Sequence, residues 1–250
     1  MKRNNLDELV TDLTFGTRLL FQQLGDPWGH IAVRLPKESG RDGFMLKHVR
    51  VTPPPGDPNA IMMFDYDGNV IEGDRRVPWE LPLYTAIFKA RPDAQSVIHT
   101  HPVIATALSM AGKTVFAITH QSAPFEHGIP IYGGDMVNTE ELGEGLAETL
   151  GKRPAALLKG HGAVVVGSSI AHAVQSTLYL EQAAQQQIWA ATLGTPQVLD
   201  QHLIDFHKNL PPGDGGLALW FTKKHYDSEA RAAGDSSAKR RNSSKRSTRR

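Results

Sequence analysis

Two short segments hold three histidines that could act together: His99 and His101 in VIHTHP, and His161 in LLKGHGAVVVG. Alternate residues of an extended chain share a face, so Val97, His99 and His101 project to one side while Ile98 and Thr100 project to the other. His161 stands between Gly160 and Gly162, after the apolar pair Leu157 and Leu158 and before the run from Ala163 to Val166. The flanking glycines permit close backbone approach, so this histidine can complete a tripod with the other two. Three neutral imidazoles with an open fourth position are what zinc and similar divalent ions use in catalytic sites. A lone histidine beside a buried strand is more often a hydrogen-bonded core or edge residue. Three of them in these two motifs predict a metalloenzyme.

The composition narrows the ligands. The 250 residues include no cysteine, which excludes a disulfide and a thiolate site and leaves histidine nitrogen and carboxylate oxygen. The start, MKRNNLDELV, lacks the apolar core of a signal peptide, and no apolar run is long enough to span a bilayer. A soluble cytoplasmic protein without a membrane partner is expected. The formal charge of +1 hides an asymmetry: residues 238–250 hold seven of the 27 Lys and Arg and no acid, leaving 20 bases against 26 acids, or −6, in the rest. The segment AKRRNSSKRSTRR has almost nothing apolar to bury, so it is read as a disordered basic tail following a domain of residues 1–237. It resembles a nucleic-acid or nuclear-localisation patch but has no aromatic residue for stacking, and the acidic remainder argues against nucleic acid as a partner.

The elements that position the histidines follow from periodicity. Leu6, Leu9, Val10, Leu13, Leu20 and Leu24 predict an amphipathic helix ending near Gly25. HIAVRLP, GFMLKHVRV and AIMMFDYDGNVIEG read as strands, with Asp67 and Gly68 at a hairpin turn. VPWELPLYTAIFKARP predicts a helix with an apolar face of Leu81, Tyr84, Ile87 and Phe88, delivering the chain to the strand of His99. Beyond it, PVIATALSMAG and TEELGEGLAETLG read as helices, TVFAIT as a strand, and AALLKGHGAVVVG as a strand pair around His161. Ser168 or Ser169 can cap a long helix reaching about Gly194. Tight connections among these elements predict a central mixed or antiparallel sheet covered by helices.

GHIAVRLP, WELPLYTAIFKARPDAQSVIHTHP and ALLKGHGAVVVG, in this order, give the chain a resemblance to the class II aldolase and adducin family over roughly residues 5–225. The resemblance implies an α/β/α sandwich with a mainly antiparallel mixed sheet, and a homotetramer with active sites near subunit interfaces. It also implies a divalent metal, Zn, Mn or Co, held by His99, His101, His161 and Glu80. Glu80 is expected in the first turn of its helix, where it could ligate metal or accept a proton, with its pKa raised in a closed site. An acid there could instead simply complement the helix dipole, worth about 0.3–1 kcal/mol.

Family members acting on sugar phosphates hold the phosphate with small polar residues. Here Gly29, His30 and Ala32 occupy the first such motif, Val77, Pro78 and Trp79 precede Glu80, and Thr52 stands before a proline run that removes backbone donors. The form of these segments looks more like the branch that decarboxylates hydroxylated aromatic or heteroaromatic acids. His30 could donate to a substrate carboxylate or phenolate, or serve structure alone. Arg34 reads as a surface or strand-pairing residue. Tyr84, where the family's aldolases often carry histidine, reads as packing. The expected function is a metal-dependent carbon–carbon lyase acting on a small non-phosphorylated substrate by decarboxylation. Aldol cleavage of a hydroxy-carbonyl or sugar-derived substrate is the alternative. A non-catalytic interaction module of the adducin kind is the reading from another class.

Overall fold

The computed structural model describes residues 2–47, 56–134 and 136–209. The tail expectation, and the segment around Thr52, fall outside these. The leucine spacing near the start forms α1 (Lys2–Leu24), which buries Val10, Leu13 and Leu20. The short apolar runs become a meander of β1 (His30–Arg34), β2 (Phe44–Lys47), β3 (Ile61–Phe64) and β4 (Val70–Glu72), each antiparallel to the next. Asp65 sets the last turn by accepting the amides of Asp67 and Asn69 at 2.9 and 2.8 Å, an aspartate's usual way of folding the chain back on itself.

The remaining elements are α2 (Leu81–Ala90), β5 (Ser96–Thr100), α3 (Val103–Met110), β6 (Ile131–Tyr132), α4 (Glu140–Leu150), β7 (Ala155–Leu158), β8 (Gly162–Gly167), α5 (Ile170–Leu193) and α6 (Gln201–Asn209). Ser169 caps α5, accepting the amide of His172. The eight strands form one sheet in the order β4-β3-β2-β1-β5-β8-β7-β6. Its pairings are antiparallel except for β6 with β7, so the sheet is mixed and mainly antiparallel, as expected.

Two apolar layers enclose it. Ala32, Leu46, Val97 and Val164 face α2 and α4 and bury Leu83, Ile87, Leu146 and Leu150 with them. Leu157, Ala163 and Val165 on the opposite face meet Leu108 of α3 and Leu180 and Ala184 of α5. Fully burying one such side chain is worth about 1.5–3 kcal/mol, so these layers hold α2, β5 and β8 in a fixed relation. These are the elements that carry Glu80 and the three histidines. Among the described residues no helix is long and apolar enough to cross a membrane.

The TVFAIT segment is not a strand. Its backbone groups bond to Gln187 of α5, which accepts from Phe116 N and donates to Thr114 O, and to Leu199 N, which donates to Ala117 O. An apolar run satisfied in this way has no need of a sheet edge. The edge is taken instead by β6, two residues long and too short to register as a periodic signal.

Candidate metal centre

The centre begins with the register of β5. His99 lies opposite His30 on β1 and Val164 on β8, on the face that carries Val97. It is wholly buried, and its Nδ1 lies 3.0 Å from the carbonyl of Ala163. A carbonyl only accepts, so the proton sits on Nδ1 and the Nε2 lone pair is turned away from it.

His101 follows the end of β5, where the strand gives way to α3. Its Nδ1 lies 3.1 Å from Asp26 Oδ2, and Asp26 also accepts Thr100 Oγ1 at 2.7 Å and the His101 amide at 2.8 Å. The other carboxylate oxygen accepts the amides of Trp28 and Gly29 at 2.9 and 3.1 Å. Burial alone would raise the Asp26 carboxyl. The His101 ring and amide, with the Thr100 hydroxyl, instead hold it well below the usual carboxylate range. An ionised Asp26 accepts the Nδ1 proton and leaves His101 Nε2 as the ligand atom.

His161 occupies the β7–β8 turn, and its two glycines have distinct reasons. Gly160 sits at φ +68°, a backbone region that side chains disfavour. A Cβ on Gly162 would collide with the Thr100 carbonyl, so only glycine lets this turn close on the end of β5. Ser109 of α3 accepts the Gly160 amide at 3.1 Å. Glu181 of α5 in turn holds the start of α3, accepting the amides of Ile104 and Ala105, each at 2.9 Å. These bonds tie both histidine segments to one helix.

One nitrogen from each of His99, His101 and His161 lies within 4.8 Å of the others. Nitrogens grouped this closely suit a shared divalent ion.

Glu80 is the N-cap of α2 rather than a first-turn residue, and its side chain makes no capping bond. The carboxylate is aimed at the histidines, with Oε2 3.2 Å from His99 Nε2 and Oε1 3.7 Å from His161 Nε2. Neither His99 Nε2 nor Glu80 Oε1 has a hydrogen-bond partner although both are buried. Orphaned polar atoms cost free energy in a folded interior, and an aimed nitrogen beside an aimed carboxylate oxygen suits a divalent cation. The carboxyl is not raised as the sequence predicts. Burial pushes it up, but His99, His161 and His101 outweigh this and hold it at about 2. Burial also opposes a charged His99, yet the Glu80 carboxylate and the Ala163 carbonyl move that imidazole upward.

His30 is buried on the same face, with neither ring nitrogen hydrogen-bonded. Burial first, then the positive neighbour Lys47, lowers it to about 3, so it is a neutral imidazole. Arg34 is more than a surface or strand-pairing residue. It donates to the carbonyls of Ala94, Phe88 and Arg91 at 2.7, 2.5 and 3.0 Å, capping the end of α2 opposite Glu80. Sequence reading missed Asp26, Lys47 and Glu181. The only local signal for Asp26 was Gly25-Asp26-Pro27, which reads as a turn.

Residues 23–188 match the Class II Aldolase and Adducin N-terminal domain, and the chain belongs to that family. Among its relatives is the 3,4-dihydroxyphthalate decarboxylase of Arthrobacter keyseri, 29% identical over 66% of this chain and 71% of that enzyme. The L-fuculose phosphate aldolase of Escherichia coli O6:H1 is 27% identical over 78% of this chain and 88% of the enzyme. The alignments with two of the decarboxylases span 71% and 53% of their lengths. Among solved structures, L-fuculose 1-phosphate aldolase from Glaciozyma antarctica PI12 superposes with a TM-score of 0.74 at 22% identity, covering 92% of this chain and 93% of its own. That likeness is one of fold. Decarboxylases and aldolases are both among the curated relatives.

Proposed function

We propose that this protein is a divalent-metal-dependent carbon–carbon lyase that decarboxylates a small hydroxylated aromatic or heteroaromatic acid. The observation that carries the reading is the convergence of His99, His101 and His161 on Glu80, with two buried polar atoms aimed at a common point and otherwise unpartnered. These four residues would hold the ion, and Zn, Mn and Co all suit three nitrogens and one oxygen. A bound ion would supply Lewis-acid stabilisation of negative charge on substrate oxygens as the bond breaks.

The protein's own groups supply the rest. Departure of carbon dioxide leaves the bonding electron pair on the product, which then takes up a proton at carbon. Glu80, ionised in this site, is positioned to accept a proton from a substrate hydroxyl and to deliver it to that carbon. His30 offers a neutral imidazole to a substrate carboxylate or phenolate from the strand beside His99.

The likeness to dihydroxyphthalate decarboxylases supports this choice, as does the surrounding of the site. Val77 and Trp79 beside Glu80 are exposed and carry no hydroxyl or amide for a phosphate. Aldol cleavage is the second reading, favoured by the likeness to fuculose phosphate aldolase. A non-catalytic module has no use for the aligned histidines. The apolar side chains Trp28, Trp79, Val103 and Met110, exposed on segments bordering the site, support the homotetramer that the resemblance implies. A domain of residues 1–237 followed by a basic segment belongs to the same proposal.

Elemental analysis of His99→Ala, His101→Ala and His161→Ala, with circular dichroism, tests the centre. Each variant is expected to stay folded and lose most of its metal. A variant that keeps full metal content and activity removes that histidine from the ligand set.

A further inference from the structure

Tyr84 lies four residues beyond Glu80, one turn of α2 further in, so the two share a side of the chain's path over the sheet. It is fully buried in the same apolar cluster as Ala32, Val97 and Val164, and its hydroxyl has no hydrogen-bond partner among the described residues. A purely packing residue at this position would be better served by phenylalanine. Burying an unpaired hydroxyl carries a desolvation cost that a phenylalanine ring avoids. His30 is the second group with this property: it lies on β1 beside His99, and both its ring nitrogens are buried without partners. His30 is two residues from Ala32 and His99 two from Val97, so both histidines project toward the layer that contains Tyr84. The unpartnered atoms of Tyr84 and His30 therefore lie on the same side of the sheet as the Glu80–His99 pair.

The sign of the missing ligand follows from the donors. A phenol and an imidazole each have one hydrogen to give, and the buried Lys47 ammonium donates at 2.9 Å to the carbonyl of Gly29, the residue before His30. The two side chains therefore offer donors, with Lys47 the positive neighbour of His30 and the Glu80 carboxylate within electrostatic reach of both.

We propose that Tyr84 and His30 form an inner subsite that hydrogen-bonds a carboxylate of the substrate while its hydroxyl oxygens occupy the histidine end. This rests on the lyase reading and deepens it, making Tyr84 a substrate-positioning residue rather than a packing one. Two hydrogen bonds from neutral donors recognise a monoanionic planar group. A phosphate dianion brings a second charge and a third oxygen that this pair does not satisfy.

The test uses Tyr84→Phe, which keeps the ring and deletes the hydroxyl, with two probes: 2,3-dihydroxybenzoate, and catechol, the same diol without the carboxylate. Thermal unfolding and calorimetric binding are measured on metal-free and Zn- or Mn-loaded protein. Without probe, Tyr84→Phe should unfold at the same or a higher temperature than the wild type, with equal metal content. The wild type should prefer the benzoate over catechol, and Tyr84→Phe should lose about tenfold or more of the benzoate affinity while binding catechol as before. His30→Ala should reproduce the loss of preference.

Lower stability of Tyr84→Phe without probe would mean the hydroxyl is structurally engaged, and overturns the subsite. So does an undiminished benzoate preference in that variant, or no benzoate preference in the wild type. Metal uptake with a preference insensitive to Tyr84 overturns the subsite and leaves the metal reading standing. A Tyr84-dependent preference in a protein that takes up no metal upholds the subsite and overturns the metal reading.

Discussion

Asp26 Oδ2 lies 3.1 Å from His101 Nδ1, although the two residues are 75 positions apart in the chain. The same oxygen accepts the His101 amide at 2.8 Å, so one carboxylate fixes both the backbone and the ring of a candidate ligand. It also anchors the turn before β1 through the amides of Trp28 and Gly29. The turn that presents His30 and the strand end that presents His101 are therefore one rigid unit.

Replacing Asp26 by Asn keeps the size of the side chain but removes the charge that holds the His101 proton on Nδ1. Losses of such partners of metal-bound histidine typically cost 10- to 100-fold in affinity. Titrating metal-free Asp26→Asn with Zn or Mn should show a weakening in about that range. An affinity equal to the wild type's would mean that Asp26 serves the fold alone.

Glu80→Gln separates metal binding from proton handling. Three imidazoles can still hold the ion, whereas an amide cannot cycle a proton near neutral pH. Turnover should fall by about 10² to 10⁴ with most of the metal retained. Turnover near the wild-type rate in the metal-loaded variant would rule Glu80 out as the proton carrier.

His30 gives the metal-free protein a measurable acid sensitivity. An ordinary imidazole takes its proton near pH 6.5, whereas burial and Lys47 hold folded His30 at about 3. Between these values the unfolded chain binds a proton that the folded chain refuses, so acidification favours unfolding. The slope for this single group is at most about 1.4 kcal/mol per pH unit, and it vanishes below about pH 3, where both states are protonated. Urea unfolding of the wild type and His30→Asn across pH 3–8, with chelator present, isolates it. The stability difference should move against the wild type as pH falls below about 6.5, while opposing contributions such as that of His99 are common to both proteins. A difference independent of pH would mean that folded His30 titrates like a solvated imidazole.

Much of the site was legible because its signals are local. Alternation along β5 puts His99 on the face of Val97, and the glycines around His161 mark a turn that must pass close to another backbone. The helix leading from Glu80 to β5 was equally plain from Leu81, Tyr84, Ile87 and Phe88, all buried. What escaped depends on contacts between distant segments. Asp26, Lys47 and Glu181 look like ordinary surface charges until the fold brings the His101 amide, the Gly29 carbonyl and the first turn of α3 against them. TVFAIT has a strand's composition, but Gln187 satisfies its backbone from a helix more than 70 residues away. The ionised state of Glu80 was hidden for the same reason, since three imidazoles outweigh its burial only once they are assembled.

In the function proposed here, a metal held between the histidines and Glu80 is needed to break the carbon–carbon bond. Release of carbon dioxide from a panel of hydroxylated aromatic acids, measured on one preparation before chelation, after chelation and after metal is restored, tests it most directly. Release should occur with at least one acid, disappear with the metal and return when Zn, Mn or Co is added back. Release that persists at full rate in metal-stripped protein, or efficient cleavage of a sugar phosphate with no turnover of any hydroxylated acid, would contradict it.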